Sequence, residues 1–218
     1  LAAFVQVCRA IDYAHEHGVL HRDLKPANVM LGPYGEVYVL DWGVAKVRSA
    51  SRALDVHGEG APAPIDDATA AGTVFGTPGY MAPEQVLGRE ADERTDVYLL
   101  GAILFEVLAG TPLHGEGAAE DRMKRAVAGV ETRPSVVSPS ADVSPELDAI
   151  CVHACARHPQ DRFESARELA DSVEAYLSGD RDVELRRALA GMHLSRARDA
   201  ASRASVPSPW PIVRTIAG

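Results

Sequence analysis

Basic residues are scarce in this sequence of 218 residues. Its 22 lysines and arginines are outnumbered by 31 aspartates and glutamates, which gives a formal net charge of −9 at pH 7. Nucleic-acid-binding proteins usually carry a basic face or domain, so this balance argues against a nucleic-acid partner. Cysteine is scarce too, and three residues are too few and too odd in number for a disulfide framework. We therefore expect the cytoplasm, a reducing compartment, although a longer parent protein could still be anchored to a membrane.

Long apolar runs are also absent. The longest, at residues 97–108, is interrupted by Glu106 and is shorter than the roughly 20 residues of a membrane-spanning helix. We therefore expect no membrane span in this sequence. We also expect no signal peptide in this sequence. The sequence begins at Leu1, without a methionine and inside that helix, so we expect it to be a fragment of a longer protein.

The pattern of apolar residues divides the sequence into two regions. In residues 1–177, apolar spacing predicts helices, together with two short strands joined by a turn. The helices are predicted at 2–17, 96–109, 119–128, 146–157 and 164–177, and the strands at 29–31 and 36–40. Residues 48–72 and 130–144 lack an apolar period and are predicted to be loops. Residues 178–218 are predicted to form an Arg/Ala-rich helical tail at 182–204 and a Pro-rich linker.

Two short polar motifs carry the chemistry. The first, at residues 21–28, reads His-Arg-Asp-Leu-Lys-Pro-Ala-Asn, and the second, at residues 41–43, reads Asp-Trp-Gly. Asp23 can accept a proton from an attacking hydroxyl, and Lys25 can meet the charge that develops on a moving phosphoryl group. Asn28 and the first residue of the second motif offer the hard oxygen ligands that Mg²⁺ prefers. Taken alone, Asp23 could instead cap a turn, and Lys25 could be an exposed surface lysine.

These motifs resemble the H-R-D-L-x-x-x-N catalytic loop and the D-F-G motif of protein kinases, with Trp42 in the place of Phe. Residues 76–84, which read GTPGYMAPE, follow in the expected order. Residues 1–177 are similar to the C-terminal lobe of bacterial eukaryotic-like (Hanks-type) serine/threonine kinases, with an activation segment at 41–84. The resemblance implies a mainly α fold with a small β-hairpin. It also implies transfer of the γ-phosphoryl group of ATP, with Mg²⁺, to hydroxyl groups of protein substrates.

The resemblance assigns catalytic and nucleotide-binding roles. Asp23 is expected to be the catalytic base, and Lys25 and Thr77 are expected to act with it, because the threonine of such kinases bonds both residues. The residues expected to bind ATP are Lys25, Asn28, Met30 and Asp41. Met30 should lie under the adenine, whereas Asn28 and Asp41 should also hold the metal.

A further group is expected to support or regulate the site: His21, Arg22, Trp42, Gly43, Glu84, Asp96 and Arg162. Trp42 should pack with the ring of His21. Glu84 and Arg162 should form a buried ion pair. Asp96 lies at the predicted start of a buried helix, so it should cap that helix and bond the backbone of the catalytic loop.

Arg22 indicates regulation, because in such kinases this arginine needs a negatively charged partner. The candidate phosphorylation sites are Thr69 and Thr73. Alternatively, Arg22 pairs with an acidic residue of the same loop, such as Asp66 or Asp67, and needs no phosphate. The insertion at 48–72 makes the activation segment long for the family, and it could also be a plain spacer.

One cluster of potential metal ligands is discounted. Cys151, His153, Cys155 and His158 could suggest zinc. The two cysteines, however, are four residues apart on an otherwise apolar helix. We therefore predict that they are buried helix residues.

The sequence contains neither a G-x-G-x-x-G loop nor a V-A-I-K lysine, which belong to the N-terminal lobe of kinases. We therefore expect that lobe to be missing from this chain and the 218 residues alone to have little activity. The alternative is a pseudokinase-like or truncated lobe that acts as a protein-docking module. Without that lobe, the surface near Met30 should be exposed and apolar, and dimerisation through it is a hypothesis.

Overall fold

A computed structural model describes residues 1–43, 45–47, 76–179 and 190–198. The chain divides into two compact units, Leu1–Asp180 and Arg181–Gly218. In the second unit, residues 190–198 are helical, within the helical tail that the sequence predicts. The predicted insertion at 48–72 and the predicted linker at 206–218 lie outside the described residues. No helix of the described residues is both long and apolar enough to cross a bilayer.

The first unit is mainly helical, as predicted. Its helices are α1 (Ala2–Glu16), α2 (Pro83–Val86), α3 (Glu93–Ala109), α4 (Ala119–Ala128), α5 (Pro134–Val137), α6 (Pro145–Ala154) and α7 (Ala166–Leu177). Its strands are β1 (Val19–Leu20), β2 (Val29–Leu31), β3 (Val37–Val39) and β4 (Lys46–Val47). The strands form two antiparallel pairs, β1 with β4 and β2 with β3.

Helix α3 is the centre of the core. It is apolar on all sides, and most of its residues are buried between α1, α5, α6 and α7. Gly101 allows α6 to approach closely, because a Cβ at this position would lie 2.7 Å from both Ala154 Cβ and Cys155 Sγ. The helix ends at Gly110, which has a left-handed φ of 72°.

The start of α3 differs from the prediction. The helix begins at Glu93, and its N-cap is Asp92, whose Oδ1 accepts the N–H groups of Arg94 at 2.9 Å and Thr95 at 3.2 Å. The hydroxyl of Thr95 in turn accepts the N–H of Asp92 at 3.2 Å, which completes a capping box. The prediction that Asp96 caps this helix is therefore wrong, since Asp96 lies one turn inside it.

The β2–β3 hairpin has one buried and one exposed face. In its register Val29 faces Val39 and Met30 faces Tyr38. The valines pack against the core, whereas Met30 and Tyr38 are 48% and 47% exposed. Gly35 closes the turn with a φ of 89°. Both strands were predicted from the sequence, and so was an exposed apolar surface near Met30.

The predicted loop at 130–144 is not irregular throughout. It contains α5 and a 3₁₀ turn at Pro139–Ala141. Helix α5 is anchored by Asp148 of α6, which accepts the N–H of Ser135 at 3.0 Å and also its hydroxyl. A helix of four residues is too short to show an apolar period, so only the proline at its first position signals it.

Candidate active site

Three side chains form a hydrogen-bonded triangle. Thr77 Oγ1 donates to Asp23 Oδ1 at 2.7 Å, and Lys25 Nζ donates to Asp23 Oδ2 at 2.9 Å and to Thr77 Oγ1 at 2.7 Å. The side chains of Asp23 and Lys25 are 13% and 22% exposed, so the triangle is sheltered yet can be reached by a ligand. Thr77 lies 54 residues after Asp23 in the sequence. The fold therefore brings together the three residues that the sequence assigned to catalysis.

Asp96 holds the backbone of the loop that carries Asp23. Its buried carboxylate accepts the N–H groups of His21 and Arg22, both at 2.8 Å, and contacts His15 Nε2 at 2.8 Å. Arg22 has a φ of 65°, and such a conformation costs a non-glycine residue about 1–3 kcal/mol. The bonds to Asp96 help to maintain it, and they are the bonds to the loop backbone that the sequence predicted for this carboxylate. Burial lowers the pKa of Arg22, and the charge of Asp96 opposes that effect.

His21 connects the loop to the second motif. Its Nε2 lies 3.1 Å from the carbonyl oxygen of Leu40, and its Nδ1 accepts the N–H of Asp23 at 3.3 Å. Both contacts are made when the ring proton is on Nε2. The ring of Trp42 packs on His21 with centroids 4.7 Å apart, and Trp42 Nε1 donates to the carbonyl of Val39 at 3.1 Å. The predicted packing of Trp42 on His21 is present.

Asn28 and Asp41 carry the side-chain oxygen atoms that the sequence analysis assigned to a metal ion. Asn28 ends a 3₁₀ turn, and its Nδ2 donates to the carbonyl of Asp23 at 2.8 Å, which directs its Oδ1 away from that carbonyl. Its own carbonyl accepts the N–H of Leu40 at 2.8 Å, so the residue before Asp41 is tied to it. Asp41 is exposed and has a φ of 59°, and its Oδ1 accepts the N–H of Gly43 at 3.4 Å. An amide oxygen and a carboxylate form a donor set that fits Mg²⁺.

Gln85 links α2 to the catalytic loop, a role that the sequence analysis missed. Its Nε2 donates to the carbonyl of Arg22 at 2.7 Å, and its Oε1 accepts the N–H of Ala82 at 3.0 Å. The available signal was its position, since a glutamine at the third residue of a helix commonly reaches back to the cap. Gly76, with a φ of 126°, lies close by; a Cβ there would be 3.5 Å from the same carbonyl.

Glu84 and Arg162 form the expected buried ion pair. Arg162 Nη1 donates to Glu84 Oε1 at 2.7 Å and Nη2 donates to Oε2 at 2.8 Å, with side chains 0% and 5% exposed. The hydroxyl of Thr95 donates to Glu84 Oε1 at 2.9 Å. The guanidinium also donates to three backbone carbonyls and lies 4.7 Å from the ring centroid of Tyr98. The pair thus fixes α2 against α3 and the segment after α6.

A second polar cluster, not foreseen from the sequence, lies where α4 approaches residues 79–81. The hydroxyl of Tyr80 donates to Glu106 Oε2 at 2.7 Å. Burial and this bond raise the pKa of Tyr80, whereas the charge of Arg122 opposes the rise. His114 Nε2 lies 3.1 Å from the hydroxyl of Tyr98, and burial together with the charge of Arg125 lowers the pKa of His114 to about 4.

Cys151 of α6 and Cys155, which follows the last residue of this helix, are buried, as predicted. Burial raises the pKa of both thiols. The ring of His153 packs on Phe163 with centroids 4.0 Å apart. Among the described residues, no group of three or more His, Cys, Asp or Glu side chains could hold a metal ion.

The regulatory predictions fall outside the described part of the chain. The candidate phosphorylation sites Thr69 and Thr73 belong to residues that the structure does not describe. Asp66 and Asp67, the alternative partners of Arg22, lie there as well. Both alternatives for Arg22 therefore stay predictions.

Comparisons with known proteins identify the family of the chain. The family profile described as protein kinase domain matches residues 2–173. The chain is 38% identical over 187 residues to serine/threonine-protein kinase PknD of Chlamydia trachomatis serovar D, covering 83% of this chain and 20% of that protein. It is 35% identical over 182 residues to PknD of Chlamydia felis and 36% identical over 181 residues to PknD of Protochlamydia amoebophila. The chain thus spans about a fifth of the length of these relatives.

Proposed function

Because the chain belongs to the protein kinase family, in its bacterial Hanks-type branch, we propose that the protein is a serine/threonine kinase. It transfers the γ-phosphoryl group of ATP to serine or threonine hydroxyl groups of protein substrates. The observation that carries this proposal is the triangle of Asp23, Lys25 and Thr77. The named activity of the PknD relatives supports it.

The triangle suits the requirements of phosphoryl transfer. Asp23 is positioned by Thr77 and can accept the proton of an attacking hydroxyl. Lys25 keeps its ammonium group within 3 Å of both partners, where it can stabilise negative charge on the transferred group. Such positioning and charge stabilisation are the main contributions of a kinase to the rate.

Asn28 and Asp41 would hold Mg²⁺, which neutralises charge on the nucleotide phosphates when it is bound. The hydrogen bonds of Asn28 to Asp23 and Leu40 keep this residue next to both motifs. Met30 lies on the exposed face of the hairpin, where its side chain is free to lie against the adenine. ATP and Mg²⁺ are therefore the ligands proposed for this side of the triangle.

The 218 residues alone are proposed to have little activity. They include no glycine-rich loop and no lysine of the V-A-I-K type to grip the phosphates. The side chains of Met30, Tyr38 and Leu40 are 40–48% exposed. A nucleotide bound to these residues would be positioned from one side only, which reduces the rate.

The same exposed surface supports two further proposals. The apolar side chains of Met30 and Tyr38 could make the isolated polypeptide dimerise, which light scattering at increasing concentration would detect. A protein-docking role without catalysis is the second candidate.

The protein is proposed to act in the cytoplasm, on the evidence of its three free thiols.

The proposal is tested with the product of the whole reading frame that contains these residues. Radiolabelled ATP and a mixture of proteins should give phosphoserine or phosphothreonine after hydrolysis. Lys25→Met should abolish the label, whereas Lys124→Met, an exposed lysine of α4, should leave it unchanged. Label on tyrosine alone, or label that survives Lys25→Met undiminished, would contradict the proposal.

The same assay separates the docking role from catalysis. The isolated 218 residues should incorporate less than about a hundredth of the label that the complete product incorporates. Equal incorporation by the two would contradict the proposed dependence on further residues. No incorporation by either, with partner proteins still retained, would favour the docking role.

A further inference from the structure

Arg122 is a cationic side chain beside the segment that carries Thr77. It lies on α4, and its guanidinium packs against Gly79, where a Cβ would lie 2.9 Å from Arg122 Nη1. Gly79 is buried and has a φ of 113°, so its lack of a side chain allows both the turn and this close approach. Because the N–H of Tyr80 donates to the carbonyl of Thr77 at 3.1 Å, the turn fixes Gly79 relative to the triangle.

In the described part of the chain, the guanidinium of Arg122 has no ion pair and no hydrogen bond. Its Nε is buried without a partner. The neighbouring Glu106 accepts the hydroxyl of Tyr80 and does not come within 4.0 Å of Arg122. Arg125, one turn further along α4, donates instead to the carbonyl of Glu116 at 2.7 Å. A guanidinium presents five donors, and leaving them unbonded next to a half-buried loop is unfavourable.

Arg122 is close enough to the triangle for a substrate peptide of a few residues to contact both. Gly79 follows Thr77 by two residues, so their Cα atoms are at most about 7 Å apart. Thr77 bonds directly to Asp23, next to which an acceptor hydroxyl must lie. An extended peptide rises about 3.3 Å per residue, so this span, with the contact of Arg122 on Gly79, corresponds to about one to three peptide residues.

We propose that Arg122 binds an anionic side chain of the protein substrate, one to three residues from the phosphorylated serine or threonine. The inference rests on the proposed kinase function and adds a sequence preference to it. The ligand is a carboxylate or a phosphoryl group, both of which accept two parallel hydrogen bonds from a guanidinium. The anion can be a glutamate, an aspartate or a serine that is already phosphorylated.

The test uses peptides and the product of the whole reading frame. A serine peptide carries glutamate, phosphoserine, glutamine or lysine at each of the three positions on either side of the acceptor. The ratio of kcat/KM for glutamate over glutamine should be about ten at one position at least, and near one in Arg122→Ala. Comparison of the glutamate and phosphoserine arms identifies the preferred anion.

Two further variants complete the design. Arg122→Glu should reverse the preference, so that the lysine peptide becomes better than the glutamate peptide. Lys124→Ala removes the same charge from an exposed site on α4, where Lys124 pairs only with Glu120 at 2.8 Å, and should keep the wild-type ratio. The affinity of each peptide, measured by fluorescence anisotropy, provides a readout that does not require turnover.

The outcomes separate the two claims. A wild-type ratio near one at all positions, or a ratio that Arg122→Ala leaves at ten, overturns the anion site. An equal loss for all peptides in Arg122→Ala also overturns it, since that result indicates a structural role. If no peptide is phosphorylated, the proposed kinase function is wrong. The anion site is then supported if the glutamate peptide binds about ten times more tightly than the glutamine peptide and Arg122→Ala removes that difference, and it is overturned otherwise.

Discussion

Removing one partner of the ion pair between Glu84 and Arg162 should destabilise residues 1–179 strongly. In Glu84→Gln the guanidinium of Arg162 stays buried, with 0% of its side chain exposed, but faces a neutral amide. The amide N–H₂ group must then face a guanidinium N–H in either orientation, because Arg162 donates to both oxygens of Glu84 in the native protein. Breaking a buried pair in this way costs about 3–5 kcal/mol. This is a large part of the 5–15 kcal/mol that stabilises an ordinary domain.

A surface pair provides the control. Arg9 and Glu174 contact each other with side chains 55% and 47% exposed, so Glu174→Gln should cost at most about 1 kcal/mol. Both variants are compared with the parent by urea denaturation followed by circular dichroism. Equal effects of the two substitutions would refute the reasoning, because burial would then have no influence on the cost.

The double variant Glu84→Gln/Arg162→Met tests whether the cost belongs to the pair. Arg162→Met also removes the donors to three backbone carbonyls, so it should be the more damaging single change. If the two side chains are coupled, the double variant should lose about 1–3 kcal/mol less than the sum of the single losses. Additive losses, within about 0.5 kcal/mol, would show that the contact contributes nothing specific.

Three other substitutions test the framework. Asp96→Asn should cost about 3 kcal/mol by thermal denaturation and lower kcat, because it removes the charged acceptor of the His21 N–H; wild-type values for both would contradict this role. In the folded state the pKa of His114 is lowered to about 4, so between about pH 6.5 and 4 the unfolded state binds a proton that the folded state does not. The free energy of unfolding is therefore highest above this range and decreases as the pH falls through it. Between pH 7 and 4 the wild type should therefore lose about 3 kcal/mol more than His114→Gln; parallel pH curves would refute this. Gly101→Ala should destabilise by about 1–3 kcal/mol despite the better helix propensity of alanine, and a rise in melting temperature would contradict the close packing of α6.

Much of the fold follows from patterns that are local in the sequence. The hairpin was predictable because its two strands flank a Gly-Pro-Tyr-Gly turn. The start of α3 was predicted three residues too late, because both Asp92 and Asp96 are residues that can cap a helix. The capping box of Asp92 and Thr95 identifies Asp92 as the true cap. This box is a weaker sequence signal than the apolar run that begins at Val97.

In the site, too, the residues that belong to motifs were predictable, whereas the contacts that depend on tertiary packing were not. Asp23, Lys25 and Thr77 were identified together because their motifs stand in a recognisable order, and the structure places them within 3 Å of one another. The contacts of Gln85 and Arg122 could not be read from the sequence in this way. Each depends on which segment lies opposite its helix, and that is decided by tertiary packing.

The central claim is that Asp23 is the base of a phosphotransfer site, and the kcat of Asp23→Asn tests it most directly. The variant keeps the size of the side chain and can still accept the Thr77 hydroxyl, so its melting temperature should stay within a few degrees of the parent. Asp171→Asn, at an exposed position of α7, is the matched control. The account predicts that kcat for a serine peptide falls about 10²–10⁴-fold in Asp23→Asn and is unchanged in Asp171→Asn. A folded Asp23→Asn protein with the parent kcat would contradict it.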